Sequence, residues 1–151
     1  AEYERLSRLT HTEPDNLKGW AGLSKLLMRQ KNCGEAIPAL QKCIQLEPGN
    51  ASFYHGLSQA LINLGYPIPA REAVLNAIRL NPNEAVLYNT LGSTFAMQGN
   101  IPNAIQAFLR AVELAPEVPY YHLNLAKLYE QIGNMKLAEE HYQMYEHFLK
   151  K

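Results

Sequence analysis

The sequence has no excess of charge of either sign and no long apolar run. Its 151 residues contain 14 Lys and Arg against 14 Asp and Glu, so the formal net charge is zero. Nucleic-acid-binding domains usually carry a basic stripe, and this balance therefore argues against a nucleic-acid partner. An apolar segment of about 18 residues is needed to span a bilayer, and its absence predicts no membrane insertion.

Cysteine is scarce as well, since Cys33 and Cys43 are the only two in the chain. Two cysteines without secretory flanking sequence favour a reducing compartment, so we expect a cytoplasmic location, with the nucleus as the alternative. The sequence lacks a His-Glu-x-x-His motif, paired metal-binding cysteines, a Walker loop and a Gly-x-Ser-x-Gly motif. We therefore predict no catalytic, metal-binding or cofactor-binding residues and no enzyme activity. His141 and His147, six residues apart on one helix, are interpreted as solvated.

Proline, by contrast, recurs at a fixed interval. Pro14, Pro48, Pro82 and Pro116 each follow the previous one by 34 residues. A fixed period of this length is typical of arrays of helical repeats. The repeats predicted from it begin three residues after each proline and span 17–50, 51–84, 85–118 and 119–151.

Aligned in this way, the four repeats share residue types at fixed positions. The fourth position is aromatic in three repeats, the seventh is always Leu, the eighth is always small and the twentieth is always Ala. These positions hold Trp20, Tyr54, Tyr88 and His122; Leu23, Leu57, Leu91 and Leu125; Ser24, Ser58, Gly92 and Ala126; and Ala36, Ala70, Ala104 and Ala138. The pattern resembles that of the tetratricopeptide repeat (TPR) family over essentially the whole chain.

The resemblance implies an all-α fold, a right-handed α-solenoid of antiparallel helix pairs forming a single TPR domain over 1–151. Residues 1–16 resemble the second helix of a preceding repeat and are predicted to be a partial or capping helix. Pro38 lies deeper in its helix than the other prolines, and we expect a local distortion there.

The turn between the two helices of the first repeat departs from the pattern. Lys31 stands where the other repeats have Gly65, Gly99 and Gly133. Because glycine readily takes the left-handed conformation that ends a helix, we expect Asn32 to take that conformation in its place.

In TPR proteins the first helix of each repeat lines a concave groove, so the resemblance implies a peptide-binding groove here. Its candidate residues are Lys18, Lys25, Arg29, His55, Gln59, Asn89, Ser93, Tyr120, Asn124 and Lys127. Amide side chains both donate and accept hydrogen bonds, which suits the backbone of an extended peptide. Since the basic residues outnumber Glu130, we expect a peptide or helix of acidic character. The clamp with which co-chaperone TPR domains hold the C-terminus of heat-shock proteins is not reproduced in either register, and this partner is rejected.

The predicted function is therefore that of a scaffold or adaptor that binds a protein partner. One alternative is a targeting or regulatory segment of a larger multidomain enzyme, which the incomplete leading repeat favours. Another is self-association through the aromatic C-terminal helix, using Tyr142, Tyr145 and Phe148 as an isologous patch.

Overall fold

The computed structural model describes all 151 residues, Ala1–Lys151, as nine α-helices with no β-strand. The helices are α1 (Glu2–Thr12), α2 (Leu17–Arg29), α3 (Cys33–Leu46), α4 (Ala51–Asn63), α5 (Pro67–Leu80), α6 (Ala85–Met97), α7 (Ile101–Leu114), α8 (Pro119–Gln131) and α9 (Met135–Leu149). After α1, each predicted repeat forms one pair of helices. The predicted fold class is confirmed, because the chain is an all-α helical repeat solenoid.

The helices fall into two compact units, Ala1–Pro82 with α1 to α5 and Asn83–Lys151 with α6 to α9. In the first unit, the core joins Leu6 of α1 to apolar residues of α2, α3 and α4, with the half-buried Trp20 packed against it. In the second unit, the core is built around Phe108, Leu125 and Tyr129. The assignment of the chain to a single domain stays a prediction.

The invariant alanine of each repeat is buried within its helix pair. Ala36, Ala70 and Ala104 have no exposed surface and Ala138 has almost none. A small side chain at this position lets the two helices approach each other, which explains why the twentieth position of the repeats never holds a larger residue.

Asparagine precedes five of the helices, and in four of them its side chain caps the first turn. The side chains of Asn16, Asn50, Asn100 and Asn134 accept hydrogen bonds from backbone N–H groups in the first turns of α2, α4, α7 and α9. These bonds satisfy donors that would otherwise lack a partner inside the helix. Within α3, the helix continues through Pro38 without a break, so the expected distortion does not interrupt it.

The conformation predicted for Asn32 is wrong. Gly65, Gly99 and Gly133 have positive φ angles of 86°, 73° and 81°, but in the first repeat it is Lys31 that has a positive φ, at 60°. Asn32 has a φ of −92° and is the residue that precedes α3. The spacing of the turn is therefore kept, and a lysine accepts the strain that glycine avoids in the other repeats.

No helix combines the length and the apolar character needed to cross a bilayer.

Candidate peptide-binding site

A groove of about 670 Å³ runs along α2 and α4, the first helices of their pairs, in the first unit. Its lining comes from four helices and includes apolar, small and charged residues. They are Glu2, Gly22, Ser24, Lys25, Met28, Arg29, Leu40, Ser52, Phe53, Gly56 and Gln59. Three of the predicted binding residues, Lys25, Arg29 and Gln59, are brought together here.

Two glycines give this groove its depth. A Cβ atom at Gly22 would lie 3.0 Å from Cδ2 of Leu6, and one at Gly56 would lie 3.1 Å from Cδ2 of Leu40. Because neither position has a side chain, the leucines of α1 and α3 pack against the backbone of the next helix. Leu40 thereby reaches the groove and forms part of its apolar floor.

The charges of the groove are partly paired. Arg29 Nη2 lies 3.5 Å from Glu2 Oε2, in an ion pair with both side chains more than half exposed. Lys25 is exposed and has no ion-pair partner. The groove therefore offers one unpaired positive charge beside an apolar floor.

Lys18 and His55, which were also predicted to line the site, are not among the groove residues. Lys18 is exposed in the first turn of α2, whereas His55 is half-buried on α4 and already has an interaction partner. Gly22, Met28 and Gly56 line the groove but are absent from the predicted residues. They occupy positions of the first helix that the TPR pattern assigns to ligand contact, but their apolar character gave them no chemical signal in the sequence.

In the second unit, the predicted residues Asn89 and Asn124 meet directly. Asn124 Nδ2 donates a hydrogen bond of 2.7 Å to Asn89 Oδ1. The Ser93 hydroxyl donates to the backbone carbonyl of Asn89 at 3.2 Å, which occupies the hydroxyl within its own helix. The bond between the two amides leaves Asn89 Nδ2 as a donor and Asn124 Oδ1 as an acceptor.

The remaining two candidates lie on α8 and are both exposed. Tyr120 is 59% exposed, and the centre of its ring lies 6.1 Å from that of Tyr145. Lys127 is exposed one helical turn after Asn124. No hydrogen bond or ion pair joins either of them to the pair of asparagines.

The aromatic residues of α9 contact α8 within the same unit. The Tyr142 hydroxyl donates to Glu130 Oε2 at 2.6 Å, and this bond raises the pKa of Tyr142. The Tyr145 ring packs on Tyr120, and the ring of Phe148 stacks on that of His122. All three residues therefore have partners inside the second unit, and self-association through them stays a prediction.

His141 is not solvated, and that prediction is wrong. It is half-buried on α9, and its Nδ1 lies 3.2 Å from Nδ1 of the fully buried His122. The imidazole also stacks on the ring of Tyr129. Burial and the neighbouring His122 lower the pKa of His141. His147 is exposed, as predicted. His122 stands at the position that is aromatic in the other three repeats. This placement was the sequence signal that the imidazole is buried and needs a polar partner.

The two cysteines are buried and not bonded to each other. Burial raises the pKa of the Cys43 thiol to about 11, so this side chain is protonated at neutral pH and acts as a small apolar residue. No group of three or more His, Cys, Asp or Glu side chains is arranged to hold a metal ion.

Sequence profiles described as tetratricopeptide repeat match residues 17–50 and 51–84, and a second profile with the same description matches 69–119 and 89–148. The chain belongs to the tetratricopeptide repeat family. No curated protein matches it.

Solved structures show the same fold. The chain is 22% identical to MamA, with 98% of this chain and 86% of that one covered and a TM-score of 0.91. It is 21% identical to TTC0263, a thermophilic TPR protein of Thermus thermophilus, with 99% and 82% covered and a TM-score of 0.81. It is 19% identical to YrrB, described as a TPR protein with an unusual peptide-binding site, with 97% and 78% covered and a TM-score of 0.82. At these identities the likeness establishes the fold alone.

Proposed function

We propose that this chain is a protein-interaction module that binds an extended segment of a partner polypeptide along the first helices of its repeats. The observation that carries the proposal is the groove on α2 and α4. It has a volume of about 670 Å³, is open to solvent at its rim and contains three of the residues that TPR proteins place toward their ligands. TPR arrays act as protein-interaction scaffolds through surfaces of this kind.

The amide pair of the second unit supports an extended ligand. A peptide unit in an extended chain presents one N–H donor and one C=O acceptor. Asn124 Oδ1 and Asn89 Nδ2, which their mutual hydrogen bond leaves available, form the complementary acceptor and donor. Such a pair recognises backbone without requiring a particular side chain. The description of YrrB as a peptide-binding TPR protein is consistent with this class of ligand.

The charge of the first groove favours a segment of acidic character. Lys25 is unpaired at the rim, and Arg29 is neutralised only by an exposed ion pair with Glu2. Attraction between exposed charges weakens as salt shortens the Debye length. The affinity of the complex should therefore fall as sodium chloride is raised, and an affinity indifferent to salt would contradict the acidic ligand.

The proposal is tested by affinity enrichment from cell lysate with the whole chain as bait, read by mass spectrometry. Parallel baits carry Lys25→Glu, which reverses the unpaired charge of the groove, and Lys136→Glu, which makes the same change at an exposed position of α9. We expect a partner that is retained by the wild type and by Lys136→Glu but lost by Lys25→Glu. Partners recovered equally by all three baits would remove the groove as the binding site.

A further inference from the structure

The groove on α2 and α4 is largely apolar beneath its charged rim. Met28 and Phe53 are half-buried in its walls, and the buried Leu40 forms part of its floor. Gly22 and Gly56 present bare backbone between these side chains. Leu6 and Leu40 already fill the space beside the two glycines, so a flat group in the groove would lie over Leu40 and between Met28 and Phe53.

The groove is large enough for an aromatic side chain, and its lining favours one. A volume of about 670 Å³ lies within the range of roughly 300–1,000 Å³ in which proteins enclose organic groups. The ring of Phe53 packs favourably against another ring, and the thioether of Met28 makes favourable contacts with aromatic edges. An aromatic side chain therefore matches this site better than a charged or a small one.

The charges of the groove favour an acidic group beside the aromatic one. Among the charged residues of the lining, Glu2 and Arg29 pair with each other, which leaves Lys25 as the unpaired cation. A carboxylate next to the aromatic group would complement this cation at the rim. An additional acidic residue would compete with Glu2 for Arg29.

We propose that the partner segment inserts an aromatic side chain into the groove between Met28 and Phe53 and places an Asp or Glu side chain, a few residues away, on Lys25. This inference rests on the proposed function and specifies the ligand chemistry of the same site. Its occupant is a segment of a partner polypeptide in which an aromatic and an acidic residue are close in sequence.

The inference is tested with a random dodecapeptide library displayed on phage and selected on the whole chain. Parallel selections use Gly56→Thr, which puts the residue of the equivalent position in the third repeat, Thr90, into the groove. The added Cβ would lie 3.1 Å from Cδ2 and 3.7 Å from Cδ1 of Leu40, so the end of this side chain must shift by a few tenths of an ångström to accommodate it. The matched control is Gly34→Thr, since Gly34 is exposed on α3 and a Cβ there meets nothing within 4 Å. Phe53→Gln, which removes the aromatic wall, is a second test that leaves Gly56 unchanged.

We expect the enriched peptides to share an aromatic residue close to Asp or Glu and to bind wild type and Gly34→Thr alike. Replacing that aromatic residue by Ala should weaken binding about tenfold or more, the effect of withdrawing one large apolar side chain from a buried site. Gly56→Thr and Phe53→Gln should each weaken binding of the unchanged peptide, and Lys25→Glu should do so most strongly at low salt.

Two results would overturn the inference in different ways. The aromatic anchor would be refuted if the selected peptides depended on Lys25 but carried no aromatic residue. It would also be refuted if they bound Gly56→Thr and Phe53→Gln with the same affinity as wild type. Either result would leave the proposed function standing. If no peptide is enriched on wild type relative to Lys25→Glu, both the inference and the groove of the proposed function are wrong.

Discussion

Nε2 of His122 donates a hydrogen bond of 2.8 Å to the backbone carbonyl of Pro116, the proline six residues before it. In the first repeat, Nε1 of Trp20 donates to the carbonyl of Pro14 over the same distance and the same separation in sequence. His122 thus replaces an aromatic residue while keeping the bond that ties a first helix to the preceding proline. With its proton on Nε2, His122 accepts through Nδ1, which assigns the donor at 3.2 Å to Nδ1 of His141.

Replacing His122 by Phe should destabilise the second unit. The ring of Phe would still stack on Phe148, but both polar contacts of the buried imidazole would be lost and His141 would keep an unpaired donor. A buried polar group left without its partner costs about 1–3 kcal/mol, and we expect a loss of this size in urea unfolding followed by circular dichroism. The matched control is His147→Phe, at an exposed position of the same unit, which should change stability little. Equal stability of His122→Phe and wild type would show that the two bonds contribute nothing.

The stability of the second unit should fall on mild acidification. His141 has a pKa below its ordinary value, because burial and His122 outweigh the opposing charge of Glu140. A histidine whose pKa is lower in the folded state binds more protons when unfolded, so stability rises with pH. The contribution is complete above the unfolded pKa of about 6.5 and declines as the pH falls below it.

This dependence is measured as the melting temperature between about pH 7.5 and about pH 5.5, the range in which His141 titrates when unfolded. His141→Asn keeps an amide donor toward His122 and removes the titrating group. The variant should lose less stability than wild type over this interval. An identical decline in both proteins would assign the pH dependence to other groups.

Gly92 is the glycine most tightly enclosed by a neighbouring helix. A Cβ at this position would lie 2.5 Å from Cε1 and 2.6 Å from Cδ1 of Phe108, whose ring is buried in the core of the second unit. Gly92→Ala should therefore cost about 1–3 kcal/mol, as overpacking of a filled core does. Gly34→Ala is the control, because a Cβ there meets nothing and Ala is the better helix former. If both variants were equally stable, the close packing against Phe108 would not be what requires a small residue at position 92.

Lys31 carries strain that a single substitution should relieve. Its φ of 60° is the left-handed conformation, which costs a residue with a side chain about 1–2 kcal/mol. Lys31→Gly should raise the stability of the first unit, by less than this amount because glycine also increases the entropy of the unfolded chain. Lys31→Ala removes the same charge but retains a Cβ, and it should bring no gain. Thermal unfolding of the three proteins separates relief of strain from loss of charge.

The sequence predicts the helices better than it predicts their contacts. A period of 34 residues and the apolar spacing identify the pairs, because these features depend on the chain alone. The proximity of His122 and His141 depends on how α9 lies on α8, which no spacing along the chain specifies. The groove at Gly22 and Gly56 arises from the absence of side chains, so a search for reactive residues passes over it. At Lys31 the residue type misleads, because the geometry of the turn overrides the preference of a lysine for negative φ.

Glu2 occupies a place in the groove that an acidic ligand would use. Its carboxylate pairs with Arg29 at 3.5 Å, and both side chains are largely solvated, so Glu2→Gln should change stability by less than about 1 kcal/mol. Removing this internal competitor should raise the affinity for acidic peptides selected from the library by up to about fivefold. Glu4→Gln is the matched control, because Glu4 is exposed on the same helix and does not line the groove. Fluorescence anisotropy at low salt measures both variants. An equal gain for Glu2→Gln and Glu4→Gln would show that only the net charge of α1 matters. A gain confined to Glu2→Gln would show that the Glu2 carboxylate competes with the acidic ligand inside the groove.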